Sequence, residues 1–188
     1  MKKENKVEPK KKSNYKWVAQ LAIMAFAISF VFSFISEIAL KKANLLISVI
    51  VVLLFIFLGI IFDMVGIAVT TADEAPFHSM SSRNKIKAAK VAVSLKKNAD
   101  KVSSFCNDVI GDICGIISGS AGVVIATNVS ELMHIEFLYA TLITTAIIAA
   151  LTIGGKGYEK TFAIEKSNDI LYAFAKILSV FYREGKTK

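Results

Sequence analysis

Across 188 residues the chain has two cysteines and two histidines, too few for a disulfide framework or a histidine-rich metal centre. Cys106 and Cys114 stand eight apart, about 12 Å along a helix and beyond disulfide reach, so they read as small buried apolar residues. His78 lies near Asp73 and Glu74 but reads as a solvated loop residue, and His134 belongs to a different loop. No Ser-His-Asp, Cys-His, His-Glu-x-x-His or glycine-rich phosphate loop occurs, which argues against an enzyme. The formal charge of +8 comes without aromatic residues interleaved on a basic face, so nucleic acid is not the expected partner. Room for a separate soluble domain of about 100 residues is also lacking, and a cytoplasmic regulatory module is expected as another protein.

What is present is apolar surface. Hydrophobic residues make up 54% of the chain and the mean hydropathy is +0.55, above the range of ordinary soluble domains. The expected fold is an all-α integral membrane protein with four transmembrane helices, a basic juxtamembrane helix and a C-terminal amphipathic helix. Residues 1–16 form a basic, disordered cytoplasmic tail. Residues 17–71 hold two spans, Trp17 to Leu40 and Leu45 to Thr71, with Tyr15 and Trp17 as interfacial anchors. Residues 72–102 form a cytoplasmic linker in which Lys85, Lys87, Lys90, Lys96, Lys97 and Lys101 alternate with small apolar residues. That pattern suits a helix lying on anionic lipid headgroups, or alternatively a solvated one. Residues 103–155 hold two more spans, Ser103 to Thr127 and Phe137 to Ile153. The chain is then expected to turn at Lys156 into a cytoplasmic segment, 156–188, whose residues 168–183 are amphipathic.

The positive-inside rule gives the topology: all of the 23 Lys and Arg except Lys41 and Lys42 face the cytoplasm, as do both termini. The expected location is the cell membrane, multi-pass.

The third span carries the chemistry. Asn107, Asp108 and Asp112 lie in its first half, and a charged side chain at membrane depth costs roughly 2.5–3.5 kcal/mol. Asp108 and Asp112 are four apart and share a face, while Gly111, Gly115 and Gly119 form a ladder beside it that suits close helix packing and a homodimer. Asp63 on the second span is either a headgroup-level carboxylate or part of the same polar site. Asp63, Asn107, Asp108 and Asp112 together offer the hard oxygen donors that Mg2+ takes, bound or transported. Glu131, His134 and Glu136 mark an outer turn.

Four segments occur in a recognisable order. Phe62-Asp63-Met64-Val65-Gly66-Ile67-Ala68-Val69-Thr70 ends an apolar helix; Lys97-Asn98-Ala99-Asp100-Lys101 ends a basic linker; Gly111-Asp112 follows within the next span; and Gly155-Lys156-Gly157-Tyr158-Glu159-Lys160-Thr161-Phe162-Ala163 follows one span later. From Phe62 to about Lys176 this order resembles the transmembrane domain of the cyclin-M and CorB/CorC family of magnesium transporters. The resemblance implies divalent-cation transport or homeostasis, with Mg2+ held by oxygens from three helices. Lys156 stands where that family has a Glu ligand, and Trp17 to Leu40 is an additional leading helix. The alternative is a non-transporting membrane subunit or scaffold assembled through the glycine ladder.

Overall fold

An apolar segment satisfies its backbone N–H and C=O groups internally when it is helical, and the apolar runs here do so. The computed structural model describes residues 15–40, 43–84 and 86–181. The expected tail before Tyr15, the expected outer pair Lys41 and Lys42, Lys85 of the linker and the residues after Phe181 lie outside the described residues.

Among the described residues every element is helical: α1 (Tyr15–Leu40), α2 (Leu45–Thr71), α3 (Ala75–Asn84), α4 (Lys87–Lys97), α5 (Ala99–Ser104), a π-helical segment (Phe105–Gly111), α6 (Asp112–Met133), α7 (Phe137–Glu165) and α8 (Ser167–Phe181). Four stretches, Tyr15–Ile38, Leu45–Thr71, Ala99–Met133 and Phe137–Glu165, are long and apolar enough to cross a bilayer, which is compatible with a multi-pass membrane protein.

The helices α2, α6 and α7 pack on one another as a bundle, and α1 lies along its flank against α6 and the π-helical segment. Near the α6–α7 turn the core is Val52, Ile56, Ala121, Ile125 and Ile148 with Leu40. Midway along, Phe55 of α2 meets Val109, Ile113, Cys114 and Ile117. At the opposite end α3, α4 and α8 gather over the last turns of α2, with Val69, Phe77, Val91 and Leu171 at the centre. Two polar ties fix this lobe: Asn168 Oδ1 accepts from the Asp73 N–H at 2.8 Å, and Lys96 Nζ donates to the carbonyls of Val69 (3.2 Å) and Thr70 (2.7 Å). The ammonium thereby satisfies carbonyls that the end of α2 leaves without helical partners.

Three expectations about element boundaries are corrected. The fourth apolar helix does not stop at Ile153 and turn at Lys156; α7 runs unbroken through Gly154, Gly155 and Gly157 to Glu165. Glycine costs about 1 kcal/mol per helical position, and at Gly155 its missing side chain makes room for Ile60 of α2, whose Cδ1 a Cβ would meet. The third apolar helix begins at Ala99 rather than Ser103. The linker forms two helices rather than one, and the apolar side of α4 is covered, with Ala88, Ala89, Val91 and Ala92 buried as α4 packs on α8.

Candidate functional site

The longer α7 has a direct consequence: it carries Lys156 and Glu159 along the bundle, one helical turn apart and therefore on one face. Opposite them α2 presents Asp63. Lys156 Nζ lies 3.9 Å from Asp63 Oδ1, with the two side chains 31% and 17% exposed. Glu159 is 5% exposed, and among the described residues neither of its carboxylate oxygens has an N–H or hydroxyl donor; its polar neighbour is the Asp63 carboxyl, which can only share a proton with it. The charges acting on it are the Asp63 carboxylate and the Lys156 ammonium.

The π-helical segment closes the third side. A π turn holds an extra residue and so re-aims the side chains within it, a distortion often found at functional sites. Here Asn107 is turned onto α2 at Gly66, where a Cβ would fall on the amide, and its buried Oδ1 has no hydrogen-bond partner among the described residues. Gly66 is one turn beyond Asp63, so the amide and the carboxylate belong to the same end of α2. Gly111, one turn on from Asn107, faces the ammonium: a Cβ there would stand 3.7 Å from Lys156 Nζ. Its missing side chain leaves room for the long lysine to reach across.

Three helical stretches thus bring together two carboxyl groups, one amide oxygen and one ammonium. With both carboxyls ionised their charge is −2, and Lys156 reduces the total to −1. Buried oxygens without partners are costly, about 1–3 kcal/mol each, so this site has a standing capacity for a proton, a water or a cation.

The four oxygen donors expected from sequence do not converge. Asp63 lies beside Lys156 and Asn107 packs on Gly66 one turn beyond it, whereas Asp108 and Asp112 are exposed, and no cluster of three or more His, Cys, Asp or Glu side chains exists among the described residues. The two aspartates are four residues apart, and both are exposed. The glycine ladder is divided as well. Gly111 serves the polar site, while Gly115 and Gly119 look onto open space. At the outer turn Glu131, His134 and Glu136 are exposed or partly so, and His134 ends α6 in the left-handed conformation at φ 55°. His78 pairs with Glu74 at 2.8 Å on the surface of α3.

Sequence reasoning missed Glu159 because it placed the residue in a cytoplasmic turn. The available signal was the absence of proline from Phe137 to Lys188 together with the three-residue spacing of Lys156 and Glu159, which suits a continued helix. Compared with protein-family models, curated proteins and solved structures, the chain matches none of them.

Proposed function

We propose that this is a multi-pass membrane protein that binds and moves a cation through the site formed by Asp63, Asn107 and Glu159, with Lys156 as a built-in counter-ion. The observation that carries this reading is the buried Glu159 carboxyl, its oxygens without an N–H or hydroxyl donor among the described residues, beside an Asp63 already matched by an ammonium. Charge arithmetic supports a divalent ion. With Lys156 in place the site sums to −1; with Lys156 swung towards water and a divalent cation in its stead, the two carboxylates are neutralised. Mg2+ is the favoured cargo, because it takes one or two carboxylates and an amide oxygen while keeping several of its waters. Lys156 is then the competitor that the ion displaces. The departure from the resembled magnesium transporters becomes a gate rather than a loss of function.

Mg2+ uptake into proteoliposomes, followed with an entrapped indicator, tests this reading. The Asp63→Asn/Glu159→Gln variant is expected to lose at least about tenfold in uptake, the lower end of what supporting groups contribute to metal affinity. Asp108→Asn/Asp112→Asn is expected to match the unaltered protein. Undiminished uptake in the first variant would falsify the assignment.

A second reading, a non-transporting subunit assembled through α6, is favoured by the open glycines. Gly115 and Gly119 meet nothing, and Ile116 beside them is 61% exposed. Small residues let a neighbouring helix approach closely, so a second copy or another helix fits this face. Gly115→Leu is expected to lower the fraction of oligomer in mild detergent while leaving the Mg2+ site intact.

A further inference from the structure

An apolar cavity of about 300 Å³ opens on the flank of the bundle where α1, α4, α5 and α8 meet, with Phe105 and Cys106 of the π-helical segment also in its wall. Its wall is made by Trp17, Met24, Val102, Phe105, Phe174 and Leu178, and among the described residues the one charged side chain in its lining is Lys101. The Lys101 ammonium lies 5.0 Å from the centre of the Trp17 ring, so the lysine is held at the rim by a cation–π contact. On the other side of Lys101 a second, polar cavity of about 220 Å³ follows the α4–α5 turn, lined by Lys96, Lys97, Asn98, Ala99, Asp100 and Lys101. Lys101 belongs to both. A greasy slot and a basic cup therefore share one residue as their common edge.

We infer that this paired cavity is a binding site for an anionic phospholipid, one acyl chain in the slot and the phosphate in the cup. Three features fix that occupant. The slot is lined by apolar atoms and aromatic rings, which suits hydrocarbon and gives a headgroup alone nothing to hold. In the cup, Lys96 is already occupied with the α2 carbonyls, while Lys97 and Lys101 are exposed. Three ammonium groups against the single Asp100 carboxylate leave the cup net positive, complementary to a phosphate. Its position is the third feature: Trp17 opens the first apolar helix and Lys101 the third, the level at which aromatic and basic residues meet lipid headgroups. This inference rests on the membrane reading but not on cation transport.

Trp17 is the only tryptophan in the chain, so its emission reports on this site alone. The protein is reconstituted in phosphatidylcholine bilayers in which a rising fraction of the lipid carries bromine, a contact quencher, on its acyl chains. The brominated lipid is either phosphatidylglycerol or phosphatidylcholine, and each protein is referred to its own emission in unbrominated bilayers. Each lysine near a membrane surface is worth about a fivefold preference for anionic lipid. Brominated phosphatidylglycerol is therefore expected to quench Trp17 at well below the mole fraction that brominated phosphatidylcholine requires. The two curves should merge in Lys97→Gln/Lys101→Gln and stay apart in Lys97→Arg/Lys101→Arg. Val102→Phe, which fills the slot and keeps both lysines, should also merge them.

Glycerol phosphate, with the charge but no chain, should leave the quenching unchanged; displacement of the lipid by it would overturn the two-part site. Equal quenching by both lipids in the unaltered protein overturns the site while leaving the membrane reading intact. Quenching by neither overturns the membrane reading and the site with it.

Discussion

Two acidic regions lie within a few turns of each other and behave in opposite ways. Asp63 and Glu159 are drawn into the bundle beside Lys156, with the Asn107 amide packed on Gly66 one turn further along α2. Asp108 and Asp112, on the stretch that carries Asn107, stand exposed beside open glycines. The difference is which neighbours each face receives. A four-residue spacing establishes that two aspartates share a side of a helix; it does not say what that side meets. Because the π-helical segment turns Asn107 and Gly111 onto α2 and α7, the aspartates beside them are left exposed.

Inverting the central charge tests the contrast most severely. Lys156→Glu places a third carboxyl beside Asp63 and Glu159 with no cation among them. It is expected to destabilise the fold by about 3 kcal/mol or more, the scale of a buried pair that loses one partner. Asp112→Lys, an equally drastic change on the exposed face, should move the thermal midpoint in detergent by the equivalent of about 0.5 kcal/mol or less. Equal losses for the two would erase the distinction between the regions.

A ligand effect comes next. If the site takes Mg2+, the ion at about 100 times its dissociation constant should add about 2.7 kcal/mol of stability to the unaltered protein and nothing to Asp63→Asn/Glu159→Gln. Thermal unfolding across a Mg2+ titration reads this directly.

Packing gives a smaller separation. Gly66→Ala must push the Asn107 amide aside, and about 1–3 kcal/mol is the usual scale for such overpacking. Gly115→Ala meets open space and should be neutral or slightly stabilising through helix propensity. Denaturant unfolding of the two variants side by side sharpens the comparison.

The smallest expected effect concerns Glu159. Glu159→Gln removes a desolvated charge from a site that already contains Asp63, so a change of less than about 1 kcal/mol is expected, towards greater stability. A large loss would mean that the Glu159 carboxylate is held by Lys156 as firmly as Asp63 is.

Much of the architecture was legible from residues alone. Four apolar runs of span length became four long helices, since an apolar segment has no other way to satisfy its backbone. The spacing of Ile170, Leu171, Phe174, Ile177 and Leu178 pointed to a helix where α8 forms; Leu171 is fully buried, whereas Ile177 of the same expected face is 63% exposed. Asp63 and Asn107 were legible as polar groups in apolar surroundings. Three things were not. Glu159 was hidden by Gly154, Gly155 and Gly157, which read as a turn until Ile60 of α2 is seen to pack on Gly155. The covered side of α4 reads like a membrane-surface helix, because small apolar residues suit a lipid surface and a packed helix alike. The open side of α6 was equally illegible, since periodicity fixes relative direction along a helix and leaves absolute direction undetermined.

The sequence by itself determined that the described residues are helical, that there are four long apolar helices and which polar residues interrupt them, because these depend on local composition and on hydrogen bonding within a segment. Only the tertiary structure decided that Asp63 meets Lys156 and Glu159 while Asp108 and Asp112 do not. That choice depends on the π turn, which sets Asn107 on Gly66 41 positions away, and on the contact of α7 with α2, where Asp63 and Lys156 are 93 positions apart.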